Sequence, residues 1–252
     1  MRASAERLKQ WRKLKMGKYR KREGLFLAEG IRTISQILEN GIVEIAALIY
    51  CESMSECTLL KSGLPAYAVA PDEFKSLCDT ETPQGILALC KIPAESEPEV
   101  LAGMKGLILA LDTIQDPGNL GTIIRTAAWF GAGGILFGKG CADPFHPKVV
   151  RSTAGATGVL PYRQGDLDEL LSFFEQRGRT VFLLDAGNQS HTIGHAKIAE
   201  HSVLVIGNEA NGIHPSLYHT ERTALHIPGS GNFAESLNAS IAAAIGLYIF
   251  TK

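Results

Sequence analysis

The stretch GLILALDTIQDPGNLGTIIRTAAWFG, residues 106 to 131, runs from an apolar, β-rich segment through Asp116-Pro117-Gly118 into an apolar helical run. The Asp-Pro-Gly triplet marks a turn, and Asn119 stands where a helix N-cap is expected. Further β-rich runs follow at GGILFG (133 to 138), TVFLLD (180 to 185), SVLVIGNE (202 to 209) and TALHIPG (223 to 229). Helical patterns separate them, at Leu120 to Phe130, after Pro147, at Leu167 to Arg177 and at Ser236 to Phe250. Strands alternating with helices predict an α/β fold with a mostly parallel sheet and helices on both faces.

Upstream, PAESEPE (Pro93 to Glu99) joins two prolines to three acids without apolar periodicity and reads as an extended linker. The expected division is residues 1–92, a linker at 93–98 and a second domain at 99–252. In the first part GLFLAEG (24 to 30) reads as a strand and IRTISQILENG as a helix ended by Gly41. The strand IAALIYC, a helix near Asp72 to Cys78 and the strand GILALC complete a small α/β domain.

The 252 residues are 45% hydrophobic and 20% charged, enough to fill two cores. No apolar run approaches the ~18 residues of a membrane span, and the N-terminus is charged where a signal peptide is apolar. A soluble cytoplasmic protein is expected. Five cysteines, an odd number without a C-x-x-C pair, argue against a disulfide framework and against zinc. His191 and His195 have i, i+4 spacing but no acidic partner at ligand spacing, so no metal is expected.

The net charge is only −1, yet residues 1 to 23 hold ten Lys or Arg against Glu6 and Glu23. Such a local basic arm is the electrostatic footprint of a phosphate-backbone partner. Lys13, Lys15, Lys18, Arg20, Lys21 and Arg22 are the candidate nucleic-acid-binding residues. Trp11 and Tyr19 lie among them, placed either to stack on bases or to staple the arm to its domain.

Three strand ends in the second half stop in polar, glycine-rich loops, where open α/β sheets bind ligands. After the first, Arg125 falls inside the apolar run Thr122-Ile-Ile-Arg-Thr-Ala-Ala, where a guanidinium needs a carboxylate or a bound phosphate. The second, VLVIGNEANGIHP (203 to 215), puts Glu209 at a strand end, as the mate of Arg125, a ligand contact or both. The third, from Leu225 to Phe250, passes through a glycine-rich turn into Ser236-Leu237-Asn238-Ala-Ser240. Its Gly229-x-Gly231-x-x-Ala234 fits the dinucleotide fingerprint only superficially. That motif belongs to a first βαβ unit and needs an acid about twenty residues on, where this chain has Ile249.

LD-x-x-QDPGNLGTIIRTA, then HPKVVRSTAGA (His146 to Ala156), VIGNEANGI and IPGSGNFAESLN-x-S in that order resemble the SpoU family of RNA ribose methyltransferases, within the SPOUT superfamily. KYRKREGLFLAEGIRT resembles the substrate-binding domain that many members carry, itself similar to a ribosomal-protein fold. The resemblance implies a deep trefoil knot that binds S-adenosyl-L-methionine largely through backbone groups, here at Ile206, Gly207, Ile227, Gly229, Leu237 and Asn238. Glycine at Gly207, Gly229 and Gly231 suits the tight bends of such a pocket. The resemblance implies a catalytic role for Arg125 in activating the 2′-hydroxyl, sometimes as a base. Because a guanidinium does not easily give up its proton, gripping the phosphate and stabilising developing alkoxide charge is the favoured role, with Asn119, Glu209, Ser236 and Asn238 orienting it, the ribose and the loops.

Ribosomal RNA is favoured over transfer RNA because of the ribosomal-protein-like domain. The resemblance also implies a homodimer, in keeping with a C-terminal helix apolar nearly all round and with Trp129-Phe130. A non-catalytic RNA-binding or ribosome-assembly factor on the same fold would show lost motif residues, and all are present.

Overall fold

The computed structural model describes residues 1–54, 56–185, 190–195, 201–230 and 236–252. Ser4 accepts the Arg7 amide and opens α1 (Ala5–Lys13), which is followed by α2 (Gly17–Glu23), so the basic arm is a pair of short helices. Next come β1 (Leu25–Glu29), α3 (Ile31–Asn40), β2 (Ile45–Cys51), β3 (Ala66–Val69), α4 (Pro71–Leu77) and β4 (Ile86–Lys91). Gly24 and Gly41 stop α2 and α3 with left-handed φ of 63° and 65°, which glycine adopts freely.

The chain continues through α5 (Pro98–Gly103), β5 (Ile108–Leu111), α6 (Pro117–Trp129), β6 (Gly134–Gly138), α7 (Pro147–Ser152) and β7 (Tyr162–Gly165). It ends with α8 (Leu167–Glu175), β8 (Thr180–Leu184), β9 (His191–Thr192), β10 (Ser202–Ile206), β11 (Thr223–His226) and α9 (Ala239–Phe250). Pro98, at the close of the expected linker, is the first residue of α5.

Two compact units result, one of Met1–Ala94 with Asp143–Val159, the other of Glu95–Ala142 with Leu160–Lys252. The first has a four-stranded sheet in the order β1-β4-β2-β3, with β4 antiparallel to β1 and β2, and β3 parallel to β2. Leu8 and Trp11 of α1 close one face over Leu27, Ile49 and Leu87, together with Phe74 and Leu77 of α4.

The segment Asp143–Val159, joining β6 to β7 in sequence, is packed into this first unit. Phe145 meets Phe26 at a ring separation of 5.2 Å. Arg151 donates to Asp79 at 2.8 Å, and Asn40 to the Gly155 carbonyl at 3.0 Å. Gly155 has φ +98°, and a Cβ there would lie 2.3 Å from Gln36 Cβ, so both conformation and space require glycine.

The second unit is built on a wholly parallel sheet in the order β7-β6-β5-β10-β8-β11-β9. Ile108, Ala110, Val203, Val205, Val181 and Leu183 share one face and pack with Leu167, Leu170, Leu171 and Phe174 of α8. Strand alternation turns Leu204 to the opposite face. There α9 comes so close that a Cβ on Gly246 would lie 2.6 Å from Leu204 Cδ2.

Candidate active site

The carboxyl ends of β5 and β10, neighbours in the sheet, open into loops locked to one another. Asn208 donates from Nδ2 to the Thr113 carbonyl at 2.8 Å, and the His214 amide donates to Asp112 Oδ2 at 2.7 Å. Asn208 and Gly212 exchange backbone hydrogen bonds, both 2.9 Å, closing a tight turn after β10. A Cβ on Gly207 would fall 2.4 to 2.6 Å from the Gly212 and Ile213 backbone, so only glycine permits this turn.

Above it runs a chain of side-chain hydrogen bonds. Ser240 donates from Oγ (2.6 Å) and from its amide (2.9 Å) to Asn238 Oδ1. Asn238 Nδ2 donates to Asn119 Oδ1 at 3.1 Å, and Asn119 Nδ2 donates to Glu209 Oε1 at 2.5 Å. Three loops distant in sequence are thereby tied together. Among the expected residues Asn119, Glu209 and Asn238 meet, while Ser236 lies exposed outside this chain. Ser240 and Asp112 were not anticipated as parts of the site, although both lie inside the quoted motifs.

Two expectations for α6 are corrected. Asp116 caps the helix, accepting the Asn119 amide at 2.8 Å, with Pro117 preset as the first helical residue. Asn119 sits in the first turn, where its side chain is free to reach Glu209. Arg125 does not pair with Glu209, whose Oε1 is taken by Asn119. It lies on the exposed side of the helix, near Thr122 and Trp129, and makes no ion pair or hydrogen bond with a described residue. Solvent removes its need for a buried partner.

Ile206 is buried and its carbonyl accepts the Asp112 amide at 2.8 Å. Ile227 is half-buried, and Leu237 and Gly229 are exposed. A Cβ on Gly229 would meet nothing within 4 Å among the described residues and its φ is not left-handed, so neither close packing against them nor a positive φ requires glycine there. Gly231 lies outside the described residues.

The basic arm divides into two groups. Arg20 is only 2% exposed, its guanidinium held by Asp143 Oδ2 and by the Leu14 and Lys15 carbonyls, which corrects its expected place among surface RNA contacts. Lys15 donates to the Cys78 carbonyl at 2.6 Å. Lys13 is half-exposed, and Lys18, Lys21 and Arg22 are exposed. Trp11 is buried with its ring edge on Tyr67, so it staples the arm.

All five cysteines are free thiols. Burial pushes Cys78 and Cys90 up to about 12 and Cys141 up to about 11. Among the described residues no group of three or more His, Cys, Asp or Glu is placed to hold a metal ion, and no helix is long and apolar enough to cross a membrane.

A wholly parallel sheet whose adjoining strand ends carry interlocked polar loops is that of an α/β protein binding its ligand at the carboxyl edge. The chain belongs to the SpoU rRNA methylase family, whose model matches residues 106–248, and the MRM3-like substrate binding domain matches residues 5–88. It is 33% identical over 249 residues to the 23S rRNA (guanosine(2553)-2′-O)-methyltransferase RlmP of Bacillus subtilis, covering 98% of this chain and 96% of that one. It is 31% identical over 258 residues to the 23S rRNA (uridine(2479)-2′-O)-methyltransferase of Streptomyces viridochromogenes, covering 96% and 88%. Among solved structures, the SpoU methyltransferase AviRb of Streptomyces viridochromogenes in complex with AdoMet superposes with a TM-score of 0.86 at 28% identity, covering 99% of this chain and 97% of that one.

Proposed function

We propose that this protein methylates a ribose 2′-hydroxyl of ribosomal RNA with S-adenosylmethionine as methyl donor. The observation that carries the reading is the hydrogen-bonded chain Ser240, Asn238, Asn119, Glu209 at the carboxyl edge of the sheet, in a chain of the SpoU family.

The residues present fit the donor. The turn at Gly207 presents backbone rather than side chains, Ile227 and Leu237 offer apolar surface to a nucleoside, and no described residue would meet a Cβ on Gly229 within 4 Å. Ile206, Gly207, Ile227, Gly229, Leu237 and Asn238 are the residues we assign to holding it. When bound, S-adenosylmethionine supplies the methyl group and is left as a neutral thioether.

The chain's own part is positioning and charge. Glu209 and Asn238 hold Asn119 from both ends of its amide, which fixes the loops where ribose must lie. Arg125, without a partner among the described residues, grips the RNA phosphate and stabilises negative charge as the 2′-hydroxyl gives up its proton to solvent. A guanidinium remains protonated near neutral pH and serves here as a donor rather than a base. Ser236 contributes a hydroxyl beside the same loop.

Substrate recognition falls to residues 1–92, with Lys13, Lys18, Lys21 and Arg22 toward RNA, and donor binding to residues 99–252. The trefoil knot is proposed for the C-terminal segment. In its favour, the chain passes from β10 beyond β8 to β11 and then returns α9 onto β10. The homodimer is proposed through α6 and α9. These pack together and expose Trp129 (84%), Ile241 (51%) and Tyr248 (49%), a hydrophobic surface suited to an isologous contact. The reaction is placed in the cytoplasm, with the ribosomal RNA.

The test is transfer of tritium from labelled S-adenosylmethionine to ribosomal RNA by the full chain, with the product mapped for 2′-O-methylation. A single methylated ribose is expected. Donor binding without transfer to any ribosomal or transfer RNA would overturn it in favour of an assembly factor.

A further inference from the structure

The outward cations of the arm gather around one ring. Lys13 Nζ, Lys18 Nζ and the Arg22 guanidinium carbon lie 5.3, 5.0 and 4.9 Å from the Tyr19 ring centroid. Glu23 accepts two bonds from Arg22, at 2.8 and 2.5 Å. Neither lysine ammonium has a hydrogen bond or ion pair with a described residue. Two of the three positive charges are therefore unneutralised, though each attracts the ring's π-face.

The neighbouring pair of Arg7 and Tyr67 marks the contrast. There one guanidinium lies 4.5 Å from the ring centroid, and the edge of Trp11 completes the packing. That ring is provided for by the fold. Tyr19 is half-exposed, and its cations repel one another unless an anion joins them.

We propose that Tyr19 with Lys13, Lys18 and Arg22 forms a binding site for an unpaired ribonucleotide, its base stacked on the phenol ring and its flanking phosphates held by the three cations. The proposal rests on the reading of the protein as an rRNA methyltransferase. The lysines ride on flexible stems, so they swing from the ring to the phosphates as the base takes the π-face. A phosphate-only surface needs cations but no aromatic at their centre. A duplex offers phosphates but keeps its base faces inside the stack, so the ring selects unpaired RNA. Every base has a π-face, so the site reads strandedness rather than sequence.

The test measures binding of the full chain to a labelled unstructured RNA and to the same sequence as a duplex. Tyr19→Ala and Tyr19→Leu should each weaken single-strand binding roughly tenfold. Tyr19→Phe should stay within about twofold of the parent, since the π-face persists. Duplex binding should be unchanged in all three. The double variant Lys13→Gln/Lys18→Gln should lower the slope of log affinity against log salt by about 1.4, two phosphates at ~0.7 each on a single strand.

Unchanged donor binding and melting temperature show that each variant is folded. Equal losses on single strand and duplex, or none on the single strand, would overturn the proposal. So would an acidic peptide that outcompetes the RNA, since the occupant would then be a protein. A parent that binds unpaired RNA through Tyr19 but transfers no methyl group would sink the proposed activity and leave this site standing. Normal transfer with Tyr19→Ala binding like the parent would do the reverse.

Discussion

Asn119 Nδ2 donates to Glu209 Oε1 at 2.5 Å, and this bond joins the helix after β5 to the turn after β10. Asn119→Asp replaces the donor with a second carboxylate facing Glu209, so residue 119 keeps only the bond it accepts from Asn238. Displacement of the loops should lower single-turnover methyl transfer on the order of 100-fold. Retention of activity within a few-fold would show that the bond is incidental.

Arg125 is exposed and has no partner among the described residues, so Arg125→Ala should change stability by less than about 0.5 kcal/mol. Methyl transfer should be lost while calorimetry shows donor affinity nearly intact. Parallel loss of both would place the arginine in the donor pocket.

If the two protomers share a site, defects in different chains should complement. Gly229→Trp meets no described residue at its Cβ and should obstruct the donor without unfolding the chain. Neither the Gly229→Trp nor the Arg125→Ala homodimer should transfer methyl groups. Co-expressed and separately tagged, the two should yield a mixed dimer with one restored site. A mixed dimer without activity would mean that Arg125 serves its own chain, and a monomer by light scattering would remove the assembly altogether.

Arg20→Met should reduce unfolding free energy by about 3 kcal/mol, because Asp143 and two carbonyls lose a buried charged donor. Lys18→Met, a few ångströms along the same helix but exposed, should alter it by less than about 0.5 kcal/mol. Identical denaturation midpoints for the two would refute the distinction between inward and outward cations.

That distinction marks where the sequence was readable. Charge counting located the arm, but nothing in KYRKRE tells which guanidinium turns inward, since the partner Asp143 lies far along the chain. β5 and β10 are legible as continuous apolar runs because parallel strands in the middle of a sheet are buried on both faces. β3, β7 and β9 escaped notice because each is a sheet edge, short and in the case of YRQG polar. At the site, the motif residues Asn119, Glu209 and Asn238 were identifiable. Their linkage through Ser240, and the capping by Asp116 that frees Asn119, depend on loops meeting in space.

Cys141 accepts the Ile114 amide and donates to the Leu111 carbonyl, and burial holds its pKa at about 11. At pH 8 only about one thiol in a thousand would then be ionised, as follows from a three-unit gap. Iodoacetamide should label native Cys141 far more slowly than the same peptide unfolded, with the rate climbing as pH rises toward 11. Comparable labelling of native and unfolded protein by mass spectrometry would contradict this.

Residues 143–159 belong to the first unit although they lie within the stretch matched by the SpoU methylase model. The N-terminal part of this gene is therefore not a detachable cassette. A chain cut after Ala94 would strip Phe26 of Phe145, Arg20 of Asp143 and Asp79 of Arg151. Recombination that exchanged substrate-recognition modules between relatives would have to carry two separate pieces of coding sequence, or repair the seam by compensating substitutions. On the recognition proposed for α1 and α2, specificity in such a lineage is expected to drift by point changes on their outward faces rather than by wholesale swapping.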